Sequence, residues 1–324
     1  MQDSINNKNQ GKIKVKRKRW RRDDTELTLL ALPTCIWYFL FCYMPMFGVI
    51  IAFKNYRITP GKSFLYNLLH SEWVGFKNFE FLVRSNDIWI LLRNTICYNL
   101  VFIILGTVIP VSLAIAISQL YSKRKAKVYQ TMMFFPHFMS WVVVAYFTYS
   151  FLSVDKGLLN GILGALGKEP IQWYMEKTYW PFILVFMAMW KRVGYSMVVY
   201  LASITGIDAT LYEAAVIDGA NKKQQIRYIT LPCLKTIIIM MLILSVGGIF
   251  YSDFGLFYQI SQGAKGSIFS VTATLDTYIY SALKSSTPIG MTAAAALFQS
   301  VACCITILTA NWFVRKVDSD SAII

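Results

Sequence analysis

The sequence predicts an all-α membrane protein with six transmembrane helices. Of its 324 residues 56% are hydrophobic and only 15% are charged, and the mean hydropathy is +0.47. Such a composition is more apolar than that of a typical soluble domain. Long stretches carry no charge at all, and one water-soluble core could not hide so much apolar surface. Lipid is therefore the expected solvent.

Six apolar runs reach the length of roughly 20 residues that a helix needs to cross a bilayer. In chain order, the predicted spans are 29–53, 94–120, 129–154, 179–207, 232–251 and 289–314. Span four contains Lys191 and Arg192, span five begins near Lys235, and the other four spans carry no charged residue.

Basic residues predict the orientation of these spans. Nine of the 32 Lys and Arg residues lie in the tail 1–28, and the loops on its side of the membrane together with the C-terminus bring that face to eighteen. The opposite loops hold ten in much more sequence. Since cytoplasmic loops retain cations, we expect both termini, including the short tail 317–324, in the cytoplasm of a bacterium, with the permease domain at 29–316.

The basic tail has two other interpretations. RNA binding stays open, although no nucleic-acid fold signature accompanies the cations. A cleaved signal peptide is not favoured, because the apolar run that follows is too long for one and lacks a small-x-small cleavage site.

The loop 208–231 between spans four and five is predicted to contain a short helix. Asp208 is a suitable N-cap, Gly219 is placed to end the helix in a left-handed turn, and Pro232 would open the next span. The residues alone leave two interpretations close to even. The loop is either a connector that caps the bundle, or a projection in which small alanines and acidic anchors fit a soluble partner.

The same loop resembles a known signature. Glu213-Ala214-Ala215, then Asp218-Gly219 and Ile229-Thr230-Leu231-Pro232, is similar to the EAA–G–IxLP motif of inner-membrane permeases of binding-protein-dependent ABC importers. The fuller form resembles the sugar and oligosaccharide branch related to the maltose and glycerol-phosphate permeases, and the resemblance runs from about residue 29 to 316. One departure lies at 262–266, where Gln-Gly-Ala-Lys-Gly replaces the TGGP of many relatives.

The resemblance implies a type I importer permease fold with a cytoplasmic coupling helix that docks on an ATPase. The residues it assigns to this coupling role are Glu213, Ala214, Ala215, Asp218 and Gly219. It also implies three kinds of partner, which are a second homologous permease in a heterodimer, two copies of a cytosolic ATP-binding subunit, and an extracytoplasmic solute-binding protein.

No catalytic or metal site is predicted in this chain. Gly167-Lys168 is followed by Glu169 and preceded five residues earlier by Ile162, which does not make a phosphate-binding loop. With two histidines and no paired cysteine spacing, zinc chemistry has nothing to build on. ATP and Mg²⁺ are therefore expected on the partner ATPase subunits.

Candidate pathway residues come from the charges in span four and from aromatic side chains that can stack on sugars. An unpaired charge inside a membrane faces protein or water, so the two cations of span four either line the pathway or form a structural pair with Asp253, Asp276 or a partner chain. Each aromatic residue taken alone is more often packing. The candidates are Trp190, Lys191, Arg192, Tyr195, Tyr251, Asp253 and Tyr258.

An ion-coupled secondary transporter is the main alternative function. It would require acidic residues buried within the spans and usually a repeat of the whole bundle. The uncharged spans offer no such proton relay, and no duplicated half is present in the sequence. A non-transport scaffold or receptor is a second alternative, and the motif in the loop between spans four and five disfavours it.

Overall fold

A computed structural model describes residues 22–285 and 287–317. Most of the predicted tail 1–28 and nearly all of the tail 317–324 lie outside these residues. The chain divides after Val49 into two compact units, and each is described by itself.

The first unit contains helix α1, Arg22–Tyr38, a π-helical segment, Phe39–Tyr43, and most of a 3₁₀ segment, Met44–Phe53, whose last four residues are assigned to the second unit. Together they form a candidate span, Asp24–Phe53. The predicted span 29–53 was therefore correct at its C-terminal end. At the N-terminal end the span begins five residues before the predicted start, because its first turn is polar and lies outside the apolar run on which the prediction was based.

In the second unit the described residues form helices joined by loops, with a two-residue antiparallel ladder between β1, Lys54–Asn55, and β2, Glu72–Trp73. Its helices in chain order are α2 Phe64–His70, α3 Glu80–Arg84, α4 Asn86–Ser118, α5 Lys123–Phe134, α6 Trp141–Leu152, α7 Leu158–Ala165, α8 Trp180–Thr205, α9 Ala209–Ile217, α10 Lys222–Gln225, α11 Leu231–Gly247, α12 Phe269–Thr272, α13 Leu275–Lys284 and α14 Ile289–Val317.

The all-α prediction is confirmed. In the described part of the chain, five helical stretches are long and apolar enough to span a membrane, and a bent pair of helices supplies the sixth. The five are Asp24–Phe53, Asn86–Ser118, Lys177–Thr205, Lys222–Gly247 and Ile289–Lys316.

The third span is not the continuous helix predicted at 129–154. Lys123–Phe138 and Trp141–Leu152 meet at 97°. The backbone becomes extended at Met139 and Ser140, and the Ser140 hydroxyl accepts a hydrogen bond from the Val143 amide, 3.3 Å away, as the N-cap of a new helix. The serine cap after a proline-containing turn explains the break.

Packing in the second unit is organised around α8, which lies along α4. One apolar cluster joins Tyr98 and Phe102 of α4 to Leu184 of α8 and to Phe257. A second, nearer the other end of α8, includes Met197 and further residues of α4 and α11. Because α8 contributes to both clusters, it holds Lys191 and Arg192 between them.

Gly194 allows α8 to approach the end of α5 closely. A Cβ at this position would lie 1.9 Å from the Met133 carbonyl oxygen, which belongs to the backbone and cannot rotate away. We expect Gly194→Ala to lower the free energy of unfolding by about 2–3 kcal/mol through overpacking, measured as a lower midpoint of thermal unfolding in detergent. The control is Gly161→Ala in α7, where a Cβ meets no atom within 4 Å. Equal midpoints for the two variants would contradict this packing.

Candidate functional site

The predicted helix between spans four and five is α9, and both of its predicted ends are confirmed. The Asp208 carboxylate accepts a hydrogen bond from the Thr210 amide at 3.0 Å. That backbone hydrogen bond holds the pKa of Asp208 below its ordinary value, so the cap stays charged at neutral pH. At the other end Gly219 has a φ of +79°, and the Ala220 amide donates to the Ala215 carbonyl at 2.8 Å, which closes the helix in a Schellman turn.

The exposed side of α9 mixes charge with apolar surface. Glu213, Ala214 and Asp218 are exposed, and Ile217 and Val216 are 86% and 62% exposed. An isolated connector gains nothing by presenting such apolar side chains to water. This surface therefore favours docking to a partner over simple capping of the bundle.

A groove of about 840 Å³ lies beside α9. Glu213 and Val216 line one side of it, and Ser118 and Tyr121, at and just beyond the end of α4, line the other. The groove brings the carboxylate and the apolar surface of α9 together with the ends of spans two and four.

Side-chain hydrogen bonds tie α9 to the start of span five. The hydroxyls of Tyr212 and Thr230 lie 2.9 Å apart, and the buried Gln225 donates to the Ala220 carbonyl at 3.0 Å. Asn221 and Gln224 form a capping box that begins α10. These contacts connect α9 to the first turns of span five.

Span five begins at Lys222, so the prediction that Pro232 opens it is wrong. The helix runs through α10, a π-helical turn at Ile226–Thr230, and α11. Proline has no amide hydrogen to donate, and a π turn shifts the hydrogen-bonding pattern by one residue. The wide turn just before Pro232 lets the helix continue past it.

At the other end, span five stops at Gly247 rather than at the predicted 251, and residues 248–253 are not helical. Side-chain carboxamides of spans two and six donate hydrogen bonds to the backbone carbonyl groups that have no helical partner in this segment. Asn99 donates to the carbonyls of Ile249 and Tyr251, each at 2.8 Å, and Gln299 donates to that of Phe250 at 2.7 Å. This segment is called the span-five break below.

An ion pair joins the middle of span four to the span-five break. Arg192 Nη2 lies 2.6 Å from Asp253 Oδ2, and Trp141 Nε1 donates to the same oxygen at 3.0 Å. The Asp253 side chain is 16% exposed and that of Arg192 is 45% exposed, so the carboxylate is mostly buried and the guanidinium is partly open. The close approach depends on Gly255, whose Cβ would otherwise lie 2.1 Å from the Trp141 ring.

Lys191 lies beside this pair, and no carboxylate in the described ranges forms an ion pair with it. Its Nζ donates to the His137 carbonyl at 2.8 Å and lies 5.2 Å from the centre of the Trp141 ring. Two cations and one carboxylate leave this cluster with a net charge of +1.

A polar cavity of about 120 Å³ opens next to Arg192, between α4, α8 and α11. Thr107, Ser196 and Ser245 contribute hydroxyls to its lining. The cavity gives the guanidinium access to a polar space inside the helical bundle.

A second carboxylate, Asp276, fixes the span-five break from the start of α13. Its Oδ2 accepts hydrogen bonds from the amide and the hydroxyl of Ser252 at 2.6 and 2.8 Å, and its Oδ1 accepts one from Gln299 at 3.0 Å. It orders the segment that carries Asp253.

The remaining predicted pathway residues are dispersed. Trp190 lines an apolar groove with Phe186, Tyr195 stacks on His137 with ring centres 4.7 Å apart, and the Tyr251 hydroxyl lies 3.1 Å from that of Ser300.

Tyr258 packs against other aromatic rings beyond the break. The structure therefore brings Arg192 and Asp253 into direct contact, with Lys191 beside them. It does not gather all seven candidates into one cluster.

Two contributors were missed by the sequence analysis. Nothing in the pattern marked Trp141 among nine tryptophans, because its role depends on the break between α5 and α6. Gln299 could have been found, since a carboxamide inside an apolar span needs a partner. In the described part of the chain, no three His, Cys, Asp or Glu side chains come together to bind a metal ion.

Comparisons with known proteins agree with these features. Residues 106–319 match the profile of a family described as the inner membrane component of binding-protein-dependent transport systems. The chain is 32% identical over 290 residues to the polygalacturonan/rhamnogalacturonan transport system permease protein YteP of Bacillus subtilis (strain 168), covering 90% of this chain and 88% of that one.

Two solved structures share the fold. One is a bacterial ABC transporter involved in the import of the acidic polysaccharide alginate, with a TM-score of 0.81 at 30% identity, covering 91% of this chain and 97% of the other. The second is a bacterial alginate ABC transporter in complex with alginate pentasaccharide-bound periplasmic protein, with a TM-score of 0.80 at 30% identity, covering 91% and 96%.

Proposed function

This chain belongs to the family of inner membrane components of binding-protein-dependent transport systems, and from that membership we propose that it forms half of an ATP-driven import pathway for acidic oligosaccharides. It is a membrane subunit and not an enzyme. ATP and Mg²⁺ bind to partner ATPase subunits, and the ion-coupled secondary transporter is set aside.

The charge of the cluster around Arg192 carries the proposal of an acidic cargo. Its two cations and one carboxylate present a net charge of +1 inside the bundle, and Arg192 borders a polar cavity. A positive site in a low-dielectric wall attracts anions. Two similar proteins support the same class, since one is named for polygalacturonan and rhamnogalacturonan and the other for alginate.

The pathway is lined by residues of span four and of the span-five break. Arg192 and Lys191 meet the carboxylates of the cargo, and Asp253 holds the guanidinium in place. Trp190, Tyr195, Tyr251 and Tyr258 offer aromatic faces along the route.

Energy enters through α9, which docks on an ATPase subunit. Glu213 and Asp218 supply charged anchors, Ala214 and Ala215 allow close approach, and Gly219 fixes the turn. The hydrogen bonds from Tyr212 and Gln225 pass the movement to span five. We assign α9 and both termini to the cytoplasmic side, a topology that the distribution of basic residues in the sequence supports.

The complete importer contains further chains. A second homologous permease forms a heterodimer with this one, two copies of the ATPase subunit bind beneath, and a solute-binding protein delivers the oligosaccharide from outside. The family description and the periplasmic protein in one similar complex support this assembly.

The test is uptake by the assembled complex in liposomes, with its solute-binding protein and ATP, of labelled trigalacturonate and of neutral maltotriose. We expect ATP-dependent uptake that favours trigalacturonate by about tenfold or more, because a desolvated charge pair is lost with the neutral sugar. Uptake driven by an ion gradient without ATP would refute the importer, and a preference for maltotriose would refute the acidic cargo.

A further inference from the structure

Three aromatic rings gather just beyond the span-five break. Phe254 and Tyr258 stack with ring centres 4.8 Å apart and planes within 16°. Tyr280 of α13 meets both of them edge-on, at 4.7 and 4.9 Å. All three side chains are only half-buried, so part of this aromatic triad faces open space.

Lys284 stands at the rim of the triad. Its Nζ lies 4.5 Å from the centre of the Tyr280 ring, and the side chain is exposed. A hydrogen bond with the Tyr280 hydroxyl raises the pKa of Lys284, so the ammonium is charged at neutral pH. In the part of the chain that the structure describes, no carboxylate forms an ion pair with it.

The polar tips of the cluster remain available. The Tyr258 hydroxyl forms no hydrogen bond with another described group of the protein, unlike the hydroxyl of Tyr251, which has Ser300. A purely structural cluster would turn its polar groups to protein partners or bury the rings completely. Here an aromatic surface, a free hydroxyl and an uncompensated ammonium lie together.

A uronic acid residue matches this combination. The C–H groups on one face of a pyranose ring pack on an aromatic surface, its hydroxyls accept and donate hydrogen bonds, and its carboxylate forms a charge-assisted pair with an ammonium. A neutral sugar would satisfy the rings and leave the lysine without a partner.

The position of the cluster fits an entry site. Helix α9 precedes span five and the triad follows span five, so α9 and the triad lie at opposite ends of span five. Phe254 directly follows Asp253, and Tyr258 lies four residues further along, in the π-helical turn Gly255–Ile260. A ligand arriving at the end away from α9 would meet the triad close to the Arg192–Asp253 pair.

We propose that Phe254, Tyr258, Tyr280 and Lys284 form an entry subsite that binds one uronic acid residue of the oligosaccharide before it reaches Arg192. The rings bind the sugar face, and Lys284 selects the carboxylate. This inference rests on the proposed function for its acidic cargo, and it adds a second, separate place at which acidity is recognised.

The experiment measures equilibrium binding to the complete permease–ATPase complex without the solute-binding protein, using labelled trigalacturonate and its methyl ester. We expect Lys284→Gln to weaken trigalacturonate binding about fivefold or more, the size of an exposed charge-assisted hydrogen bond, and to leave the ester unchanged. Lys284→Arg keeps the charge and should bind as the wild type does. Tyr258→Leu should weaken both ligands, whereas Tyr258→Phe retains the ring and should weaken them less.

The outcomes separate the subsite from the proposed function. Unchanged trigalacturonate binding in both Lys284→Gln and Tyr258→Leu, or no binding to the wild-type complex, would overturn the subsite even where uptake in liposomes is normal. A wild-type complex that binds trigalacturonate through these residues but imports no oligosaccharide would keep the subsite and refute the function. Lys265→Gln, at another exposed lysine after span five, is the matched control.

Discussion

Glu213→Lys is expected to abolish ATP-stimulated uptake while the membrane subunits still assemble. The carboxylate is exposed on α9 and lines the groove beside it, so its reversal does not disturb the packing of the bundle. Truncating one partner of a desolvated charge pair at an interface costs about 2–5 kcal/mol, and reversal adds repulsion. We therefore expect a loss on the order of 100-fold in coupled ATP hydrolysis and uptake.

The matched control is Glu169→Lys, the same charge reversal at an exposed carboxylate in the loop before span four. Uptake by this variant should stay within about twofold of the wild type, because a surface charge away from an interface contributes little. Assembly of the complex is checked by co-purification of the ATPase in the absence of nucleotide. Full coupling in Glu213→Lys would mean that α9 is only a connector.

Arg192→Ala is expected to reduce uptake of trigalacturonate by about tenfold or more, the cost of one lost charge-assisted contact. The variant also leaves Asp253 with the Trp141 indole and the Leu256 amide as its donors. Because the guanidinium is nearly half exposed, solvent screening reduces the stability cost of the broken pair to about 1–2 kcal/mol. A lower midpoint of thermal unfolding should accompany the lower uptake.

A double variant separates the two effects. Arg192→Ala with Asp253→Asn removes the uncompensated carboxylate, so stability should recover while trigalacturonate uptake stays low. Arg84→Ala is the control, because its pair with Glu80 spans 3.6 Å and both side chains are mostly exposed. Wild-type uptake by Arg192→Ala would assign the pair a structural role only.

Much of the fold could be predicted from the sequence because it depends on local properties. The length and apolar composition of the runs determine which segments cross lipid. The ends of α9 follow from Asp208 and Gly219, since an N-cap acceptor and a residue that tolerates positive φ act within one turn of the chain.

Breaks in the spans could not be predicted in the same way. The bend at Ser140 and the continuation of the helix past Pro232 both concern prolines, yet one interrupts a helix and the other does not. The difference lies in how the backbone nearby is satisfied, by a serine cap in one place and a π turn in the other. Apolar composition does not distinguish a helix that is interrupted near a proline from one that continues past it.

The sequence by itself determined that the chain spans a membrane with six apolar segments and carries a capped helix between the fourth and fifth. Only the tertiary structure decided which polar residues meet. Arg192 and Asp253 are separated by 61 positions in the chain, and the pair forms because Gly255 lets the span-five break approach Trp141. Periodicity and composition act over neighbouring residues, whereas a charge pair inside a bundle depends on how distant helices pack.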